Sequence, residues 1–297
     1  MNKGHNHKHP PTRLVVGQNK PANKVKVSFS NFPDGEIHCL VDDASQLKGK
    51  RVFICHYLYP NQSEQILRLL FLAATLKDRG VKSVDLLVPY LPYARQDKAH
   101  LRGEVITSRL LCKLLSDSGV TRLHTIDCHF MKGSRQTTVE GLRIKNYLVQ
   151  KKLLSHLQTL TSEPYQIIGP DSGASYLATE GTMKKNRTNQ YNKKTEGVVH
   201  RPVDTLEDDH LTITSSTVIL ADDMISSGGT MIRAADNLRR RGIKNVYAMT
   251  SHGLFLQDSF QKINKLATGI IYSDTIPGKA AVPVVDDVFE EIIGSNQ

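Results

Sequence analysis

Short runs of apolar, β-branched residues alternate along this 297-residue chain with segments whose apolar residues recur at helical spacing. The clearest example begins with RVFIC at 51–55, continues with a helical pattern over 63–79 that ends at Gly80, and reaches the strand-like SVDLLVPY from residue 83. A strand, a helix and a second strand in that order are typical of a parallel sheet covered by helices. The sequence therefore predicts an α/β fold.

The same alternation occurs in both halves of the chain. The first half continues with a helical pattern near 107–117 and the strand-like LHTIDCH at 123–129. The second half contains the strand-like segments YQIIGPDSG, TVILADD, NVYAMTSHG and GIIYSD, and a helical pattern over 229–241. A polar stretch at 133–141 separates the halves. We therefore predict a disordered tail over 1–13, one α/β domain over 14–145 and another over 146–297.

Composition narrows the class of protein. The hydrophobic content is 39%, and no apolar run approaches the roughly 20 residues of a membrane-spanning helix. The amino terminus lacks the apolar core of a secretory signal, and Cys39, Cys55, Cys112 and Cys128 show no CxxC or metal-finger spacing. We therefore expect a cytoplasmic protein with reduced thiols. The histidines of the tail, at positions 5, 7 and 9, suit either weak metal binding or a plain polar tail.

The formal net charge of +10 is unevenly distributed. Residues 1–27 carry six basic and no acidic side chains, residues 183–201 carry six basic and one acidic, and the remainder is balanced to within one charge. No basic stretch is interleaved with aromatic residues as in a nucleic-acid platform. We therefore expect no nucleic-acid partner and no membrane partner. The almost wholly polar segment 183–197 predicts a flexible functional loop within the second domain.

The stretch TVILADDMISSGGTMIRAADNL is the most informative for function. An apolar strand is followed by Asp222 and Asp223, then by a loop of hydroxyls and glycines, and then by a helix. Glycines let the backbone approach a ligand, and free amides at a helix start bind anions. The paired carboxylates suit sugar hydroxyls or a Mg²⁺ shell. The alternative is an ordinary strand-turn-helix with a solvated acidic pair; no GxxxxGK[ST] or GxGxxG motif occurs.

Three further segments carry polar groups where a strand is expected to end. IIGPDSGAS places Asp171 before a presumed helix start, although such a loop is equally well a simple turn. TIDCH places Asp127 and His129 two residues apart, where both could reach a metal or a phosphate on one side of the strand. PYARQDK brings Arg95 and Gln96 after another strand, and arginine suits both stacking on a base and contact with phosphate.

Together these segments resemble the ribose-phosphate diphosphokinase, or phosphoribosyl pyrophosphate synthetase, family over about residues 14–293. Five motifs occur in the family's order: FPDGE, PYARQD, TIDCH, GPDSGA and ADDMISSGGT. The resemblance implies two tandem phosphoribosyltransferase-like domains, each a mainly parallel sheet flanked by helices. It implies ATP binding by Phe32, Asp34, Gly35, Glu36, Arg95 and Gln96, with the phenylalanine supplied by a neighbouring subunit. It implies Mg²⁺ ligation by His129 and Asp171, and ribose 5-phosphate binding by Asp222, Asp223, Ser226, Ser227, Gly228, Gly229 and Thr230.

The family's catalytic lysine lies in a K-x-R setting on a flexible loop. QYNKKTEG is the only candidate here, which assigns the role to Lys194, with Lys193 as the alternative and Glu196 where the family has arginine. Ala174 stands where a second glycine is usual. The aromatic segment that follows the family's metal-binding histidine is replaced by MKGSRQTTVEG, so regulation by ADP and phosphate is not implied.

The resemblance implies transfer of the β,γ-pyrophosphoryl group of ATP to the 1-hydroxyl of ribose 5-phosphate, which yields phosphoribosyl pyrophosphate and AMP. It also implies Mg²⁺ as cofactor and a homo-oligomer based on dimers. Two other functions stay open: a non-catalytic relative that binds nucleotide or the active enzyme, and a phosphoribosyltransferase, which shares the sugar-phosphate loop.

Overall fold

The chain divides into two compact units. The computed structural model describes residues 12–16, 23–99, 101–186, 205–207, 212–278 and 282–295. One unit comprises Met1–Val149 together with Asp274–Gln297, and the other comprises Gln150–Ser273. The sequence interpretation drew its boundary between 145 and 146 and kept residues 274–297 with the second half, whereas the structure groups these C-terminal residues with the first unit.

The first unit is built around a mixed sheet. Its elements up to residue 149 are, in chain order, β1 (Arg13–Val16), β2 (Asn23–Val25), β3 (Val27–Asn31), β4 (Ile37–Val41), β5 (Arg51–Cys55), α1 (Gln62–Asp78), β6 (Ser83–Val88), α2 (Thr107–Asp117), β7 (Arg122–Ile126), β8 (Gln136–Val139) and β9 (Leu142–Tyr147). The strand order is β2-β1-β5-β6-β7-β9-β8, with β3 and β4 forming a separate hairpin. The four strands β5, β6, β7 and β9 are parallel, and antiparallel pairs extend both edges.

The second unit has a smaller, wholly parallel sheet. Its elements are α3 (Gln150–Leu157), β10 (Tyr165–Ile168), β11 (Lys184–Asn186), β12 (Thr205–Glu207), β13 (Thr217–Ile225), α4 (Gly229–Arg240), β14 (Asn245–Gly253), α5 (Ser259–Leu266) and β15 (Gly269–Tyr272). The order of the sheet is β10-β13-β14-β15. The central strands β13 and β14 are almost wholly buried because helices cover such sheets on both faces.

The last helix, α6 (Val285–Gly294), belongs to the first unit. Arg13 of β1 pairs with Asp286 and lies over the ring of Phe289, 5.0 Å from its centroid. Lys145 of β9 pairs with Glu291 at 3.3 Å. Two separate strands of the first sheet therefore hold this helix.

The predicted helices at 63–79, 107–117 and 229–241 are confirmed, each within one residue, as α1, α2 and α4. The sequence interpretation did not identify the hairpin β3–β4, the edge strands β1, β2 and β8, or the short helices α3, α5 and α6. These elements are too short to show a clear period. Within the described residues, no helix has the length and hydropathy needed to cross a membrane.

A buried carboxylate organises the start of the first sheet. Asp85 of β6 is fully buried, and its oxygens lie 3.1 Å from Arg122 Nε, 3.5 Å from Arg51 Nη2 and 3.5 Å from His124 Nε2. Burial by itself would raise the pKa of Asp85, but the hydrogen bond to His124 and the charges of Arg122 and Arg51 hold it below its usual value. The cluster therefore ties together the first residues of β5 and β7.

We expect Asp85→Asn to lower the free energy of unfolding by about 3 kcal/mol, because it leaves two partly buried arginines, Arg51 and Arg122, without their counter-charge. Urea unfolding of both proteins measures the loss. Because the pKa of Asp85 is lower in the folded protein, the deficit is largest near neutral pH and shrinks as the pH falls through that pKa. A pH-independent difference would contradict this electrostatic role.

Candidate functional site

The acidic pair of the second unit lies inside β13, near its carboxyl end, and not after the strand as the sequence predicted. The parallel register pairs Ile168 of β10 with Leu220 of β13, so the residues that follow both strands emerge at one edge of the sheet. Asp222 and Asp223 follow Leu220 almost at once, and Asp171 comes three residues after the end of β10. The carboxyl edge of an open parallel sheet is where α/β proteins bind their ligands.

These carboxylates repel one another. Burial and the neighbouring Asp223 raise the pKa of Asp222 well above its usual value, and Asp171 adds to the effect. The Asp223 amide also donates a hydrogen bond of 2.9 Å to Asp222 Oδ1, which fixes the direction of that carboxylate. This edge is therefore suited to ligands that donate hydrogen bonds or carry positive charge, such as sugar hydroxyls or a divalent cation.

The segment 226–230 connects β13 to the first residues of α4. It contains one glycine with close neighbours and one with open space beside it. Gly228 has φ 74°, and a Cβ there would lie 2.9 Å from the Cβ of Ser259. Gly229 begins α4, and a Cβ built on it meets no atom within 4 Å. Ser227 is exposed, while Ser226 and Thr230 are half-buried. The start of α4 is therefore open beside Gly229, and a helix N-terminus that a ligand can approach closely suits a phosphate.

Asp171 caps a single 3₁₀ turn at Ser172–Ala174. Its Oδ1 accepts a hydrogen bond of 2.8 Å from the Gly173 amide, and a Cβ on Gly173 would lie 2.8 Å from the same oxygen. Gly173 therefore permits the close approach that holds Asp171. The buried Ala174 stands at the end of this turn, where the resemblance led us to expect glycine.

Among the described residues no group of three or more His, Cys, Asp and Glu side chains has the geometry of a protein-only metal site. Mg²⁺ usually takes one or two carboxylates and completes its shell with water and phosphate oxygens. The donor chemistry of Asp171, Asp222 and Asp223 fits that mode, since their mutual repulsion would be relieved by a divalent cation.

In the first unit, the predicted nucleotide-binding residues Phe32, Asp34, Gly35 and Glu36 form the tip of the hairpin β3–β4. The turn is closed by two backbone hydrogen bonds, from the Phe32 amide to Glu36 O and from the Gly35 amide to Phe32 O, and by Asp34 Oδ1, which accepts from the Glu36 amide at 3.1 Å. Gly35 has φ 95° at the apex. Phe32 is 51% exposed and touches only the edge of His38 among the described aromatic rings. The tip thus presents an aromatic ring and two carboxylates outward.

Arg95 and Gln96 follow β6 and differ in their surroundings. The side chain of Arg95 is exposed, whereas that of Gln96 is held on both sides. Gln96 Nε2 donates to Glu104 at 3.1 Å, and its Oε1 accepts from Thr107 at the start of α2 at 3.0 Å. Arg95 is therefore the one placed to reach a ligand, while Gln96 fixes the loop that carries it.

His129 follows β7 in a sharp turn. The strand ends at Ile126, and Asp127 is fully buried with φ 40°, so the alternation that would put Asp127 and His129 on one side of a strand does not extend this far. His129 is half-buried. The buried Asn146 holds the turn: its Oδ1 accepts from the Cys128 amide at 2.8 Å, and its Nδ2 donates to Gly133 O at 2.8 Å. Asn146 lies within β9, and no motif in the sequence marks it as a residue that acts on the His129 turn.

The candidate catalytic residues Lys193 and Lys194 and most of the loop 183–197 lie outside the described residues, as do the tail histidines. Lys184–Asn186 and Thr205–Glu207 form a short antiparallel pair, β11 and β12, on either side of the undescribed segment 187–204.

Two family models match the chain. Residues 7–119 match the N-terminal domain of ribose phosphate pyrophosphokinase, and residues 188–287 match the phosphoribosyl synthetase-associated domain. The chain belongs to the ribose-phosphate pyrophosphokinase family. The family predicted from the motifs is thus confirmed, and with it the expectation of a transferase.

Similar proteins span nearly the full chain. The ribose-phosphate pyrophosphokinase of Sulfolobus acidocaldarius is 28% identical over 90% of each chain, and that of Pyrococcus abyssi is 29% identical over 89% of each. Ribose-phosphate pyrophosphokinase 1 of Streptococcus pneumoniae is 29% identical over 84% of this chain and 77% of its own. Phosphoribosylpyrophosphate synthetase from Mycobacterium smegmatis has the same fold, with a TM-score of 0.73 at 24% identity over 93% of this chain and 91% of that one. The predicted fold class is confirmed.

We expect Gly228→Ala to affect mainly stability and Gly229→Ala to affect mainly ligand binding. Gly228→Ala strains a positive φ and drives a Cβ against Ser259, so it lowers the free energy of unfolding by about 1–3 kcal/mol. Gly229→Ala leaves unfolding within about 0.5 kcal/mol of the parent but puts a methyl group where a phosphate would approach. Urea unfolding and ribose 5-phosphate titration measure the two effects. Equal stability losses would contradict the open position of Gly229.

We expect Asp222→Asn to stabilise the metal-free protein by about 1 kcal/mol while abolishing sugar-phosphate binding. A carboxyl group with a raised folded-state pKa holds its proton more tightly in the folded protein, so stability falls as the pH rises from the usual aspartate range toward neutrality. Melting temperatures from pH 5 to pH 8 in EDTA test this: the parent loses stability along the series and the variant loses less. Asp236→Asn, on the surface of α4, serves as control, and a parallel loss in all three proteins would refute the repulsion.

Proposed function

We propose that this chain transfers the β,γ-pyrophosphoryl group of ATP to the 1-hydroxyl of ribose 5-phosphate and releases AMP and phosphoribosyl pyrophosphate. Family membership supports the reaction class. The assignment to residues depends on one observation. Near the carboxyl end of β13, two carboxylates that repel one another are followed by the open start of α4 at Gly229. Together these features match the two ends of a sugar phosphate, with hydroxyls on one side and a dianion on the other.

The second unit binds the acceptor in this proposal. The 5-phosphate accepts hydrogen bonds from the amides of the first turn of α4 and from the hydroxyls of Ser226, Ser227 and Thr230. Asp222 and Asp223 accept hydrogen bonds from the ribose hydroxyls. The acceptor is thereby fixed at both ends, and holding two substrates in line supplies much of the rate enhancement in phosphoryl transfer.

The first unit binds the donor. Phe32 offers a ring for stacking on the adenine, Asp34 and Glu36 offer acceptors for its amino group, and Arg95 offers a fork for the phosphates. Gln96 keeps the Arg95 loop in position through Glu104 and Thr107. Because Phe32 lies at a protruding hairpin tip, we propose that it serves the site of a second copy in a homo-oligomer built from dimers.

Mg²⁺ is the proposed cofactor, with His129 and Asp171 as protein ligands. When bound it neutralises the phosphate oxygens and the charge that develops on them. Asp171 is held for this role by the Gly173 amide, and His129 by the turn that Asn146 fixes. Lys194, with Lys193 as the alternative, donates hydrogen bonds to the transferring group as negative charge moves toward the leaving AMP. We also propose a cytoplasmic location, with neither nucleic acid nor membrane as partner.

A non-catalytic role is the second candidate, because Glu196 and Ala174 depart from the family pattern. In that case the chain binds nucleotide or an active relative and does not turn over. A phosphoribosyltransferase activity is less well supported, since the hairpin tip 32–36 and the Arg95 loop would then have no ligand.

Release of AMP from ATP, Mg²⁺ and ribose 5-phosphate tests the proposal. We expect turnover in the parent and a loss of about a hundredfold or more in Lys194→Ala, with ATP affinity little changed, because one charged contact to the transition state is removed. Lys193→Ala is the matched control and keeps most of the activity. If the two variants exchange behaviour, Lys193 is the catalytic residue.

Parent protein that binds ATP and ribose 5-phosphate without releasing AMP would contradict the enzymatic proposal and favour the non-catalytic one. ADP supplied in place of ATP is the donor control, since it lacks the γ-phosphate and yields no pyrophosphoryl transfer.

A further inference from the structure

The hairpin β3–β4, whose tip carries Phe32, forms a two-stranded sheet of its own. A hairpin of two short strands is barely stable unless it packs against another element. Side chains alternate along β3, so Val27, Phe29 and Asn31 share one face, and Val27 and Phe29 pack against the core of the first unit. Phe32 follows directly and is exposed. The position of the tip therefore depends on what holds the end of β3.

Arg68 of α1 contacts this end of the hairpin. Its Nη2 donates a hydrogen bond of 3.2 Å to Asn31 Oδ1, and its guanidinium lies 5.5 Å from the ring centroid of Phe29. The same nitrogen lies 2.6 Å from Oε1 of Glu64, one helical turn earlier in α1. The Arg68 side chain is only 18% exposed. The helix therefore fixes the guanidinium in place against the hairpin.

The Asn31 side chain connects Arg68 to the turn 32–36. Its Nδ2 donates a hydrogen bond of 3.0 Å to Gly35 O at the apex of that turn. A guanidinium can only donate and a carbonyl oxygen can only accept, so a single orientation of the Asn31 amide satisfies both partners. The contact with Arg68 therefore sets the direction in which Asn31 donates to the turn.

We propose that Arg68 is a positioning residue for nucleotide binding, which holds the turn 32–36 through Asn31 and does not itself contact the nucleotide. This inference rests on the proposed function, in which Phe32 stacks on the adenine. A turn that is ordered before the ligand arrives loses less conformational entropy on binding. The adenine takes no part in the transfer step. Arg68 therefore affects the affinity for ATP and leaves the transfer step unchanged.

Steady-state kinetics of Arg68→Met test the inference, because methionine keeps an apolar stem and removes every donor. We expect the KM for ATP to rise about tenfold, since a hydrogen bond to a charged group is lost, while kcat and the KM for ribose 5-phosphate stay within about twofold. Arg68→Lys should restore most of the affinity, because a single nitrogen makes both polar contacts and an ammonium can replace it. Arg79→Met, at the exposed end of α1, is the matched control and keeps the KM of the parent.

A second measurement needs no substrate. The chain contains no tryptophan, so Phe32→Trp places a single fluorescent reporter at the tip of the hairpin. In this background and without ligand, Arg68→Met should lower the fluorescence anisotropy of the reporter, because the released turn moves faster. Asn31→Asp should lower it as well: the new carboxylate still accepts from Arg68 but places an oxygen against Gly35 O in place of the donor. Arg79→Met should leave the anisotropy unchanged.

An unchanged KM for ATP or an unchanged anisotropy in Arg68→Met would overturn the inference. Equal effects in Arg68→Met and Arg79→Met would also contradict it, because they would indicate only the loss of a charge. If Arg68→Met does not fold, Asn31→Asp is used for both measurements, and parent-like values are then the contrary result. If the parent releases no AMP, the proposed function fails by itself, and the anisotropy alone supports or overturns the action of Arg68 on the tip.

Discussion

The pairing of β10 with β13 is the constraint on which the candidate site depends. Because the strands are parallel and in the register Ile168 to Leu220, the segments that follow them leave the sheet side by side. That places Asp171 close enough to Asp222 to raise its pKa. A slip of one residue would turn every side chain of β13 to the opposite face, and so would change which of its carboxylates faces Asp171. The chemistry of the edge is therefore a consequence of backbone pairing.

Asp171, Asp222 and Asp223 lie close together although they repel one another, and neighbouring backbone groups hold them there. Asp223 is buried but orients Asp222 through its own amide, and Gly173 permits the short contact that holds Asp171. These contacts hold the carboxylates close together although they repel one another. A site arranged in this way gains stability when a cation or a hydroxyl-bearing ligand arrives, which is the usual balance between stability and function.

The sequence was sufficient for the parts of the fold that have long periods or strict local chemistry. Helices α1, α2 and α4 show a full apolar face, and the loop after β13 shows glycines and hydroxyls at fixed positions, so both could be predicted. The roles of Asn146 and Asp85 could not, because a polar residue in an apolar strand does not reveal its partners. Asn146 acts on residues 128 and 133, and Asp85 acts on Arg51 and Arg122, contacts set only by tertiary pairing.

Strand pairing in both sheets also changes what the net charge implies about the surface of the protein. Outside the two basic segments, acidic and basic side chains nearly balance along the chain, which suggests a surface without strongly charged regions. In three dimensions they are unevenly spread: the first unit collects Lys50, Arg51, Lys82, Arg122 and Arg143 around Asp85 at the amino edge of its sheet, and the second unit collects its aspartates at a carboxyl edge. Neighbouring parallel strands contribute their first residues to one edge and their last to the other, so each edge can gather charge of one sign that a linear count averages away. A chain that is almost neutral over most of its length can therefore present a strongly charged edge on each of its two sheets.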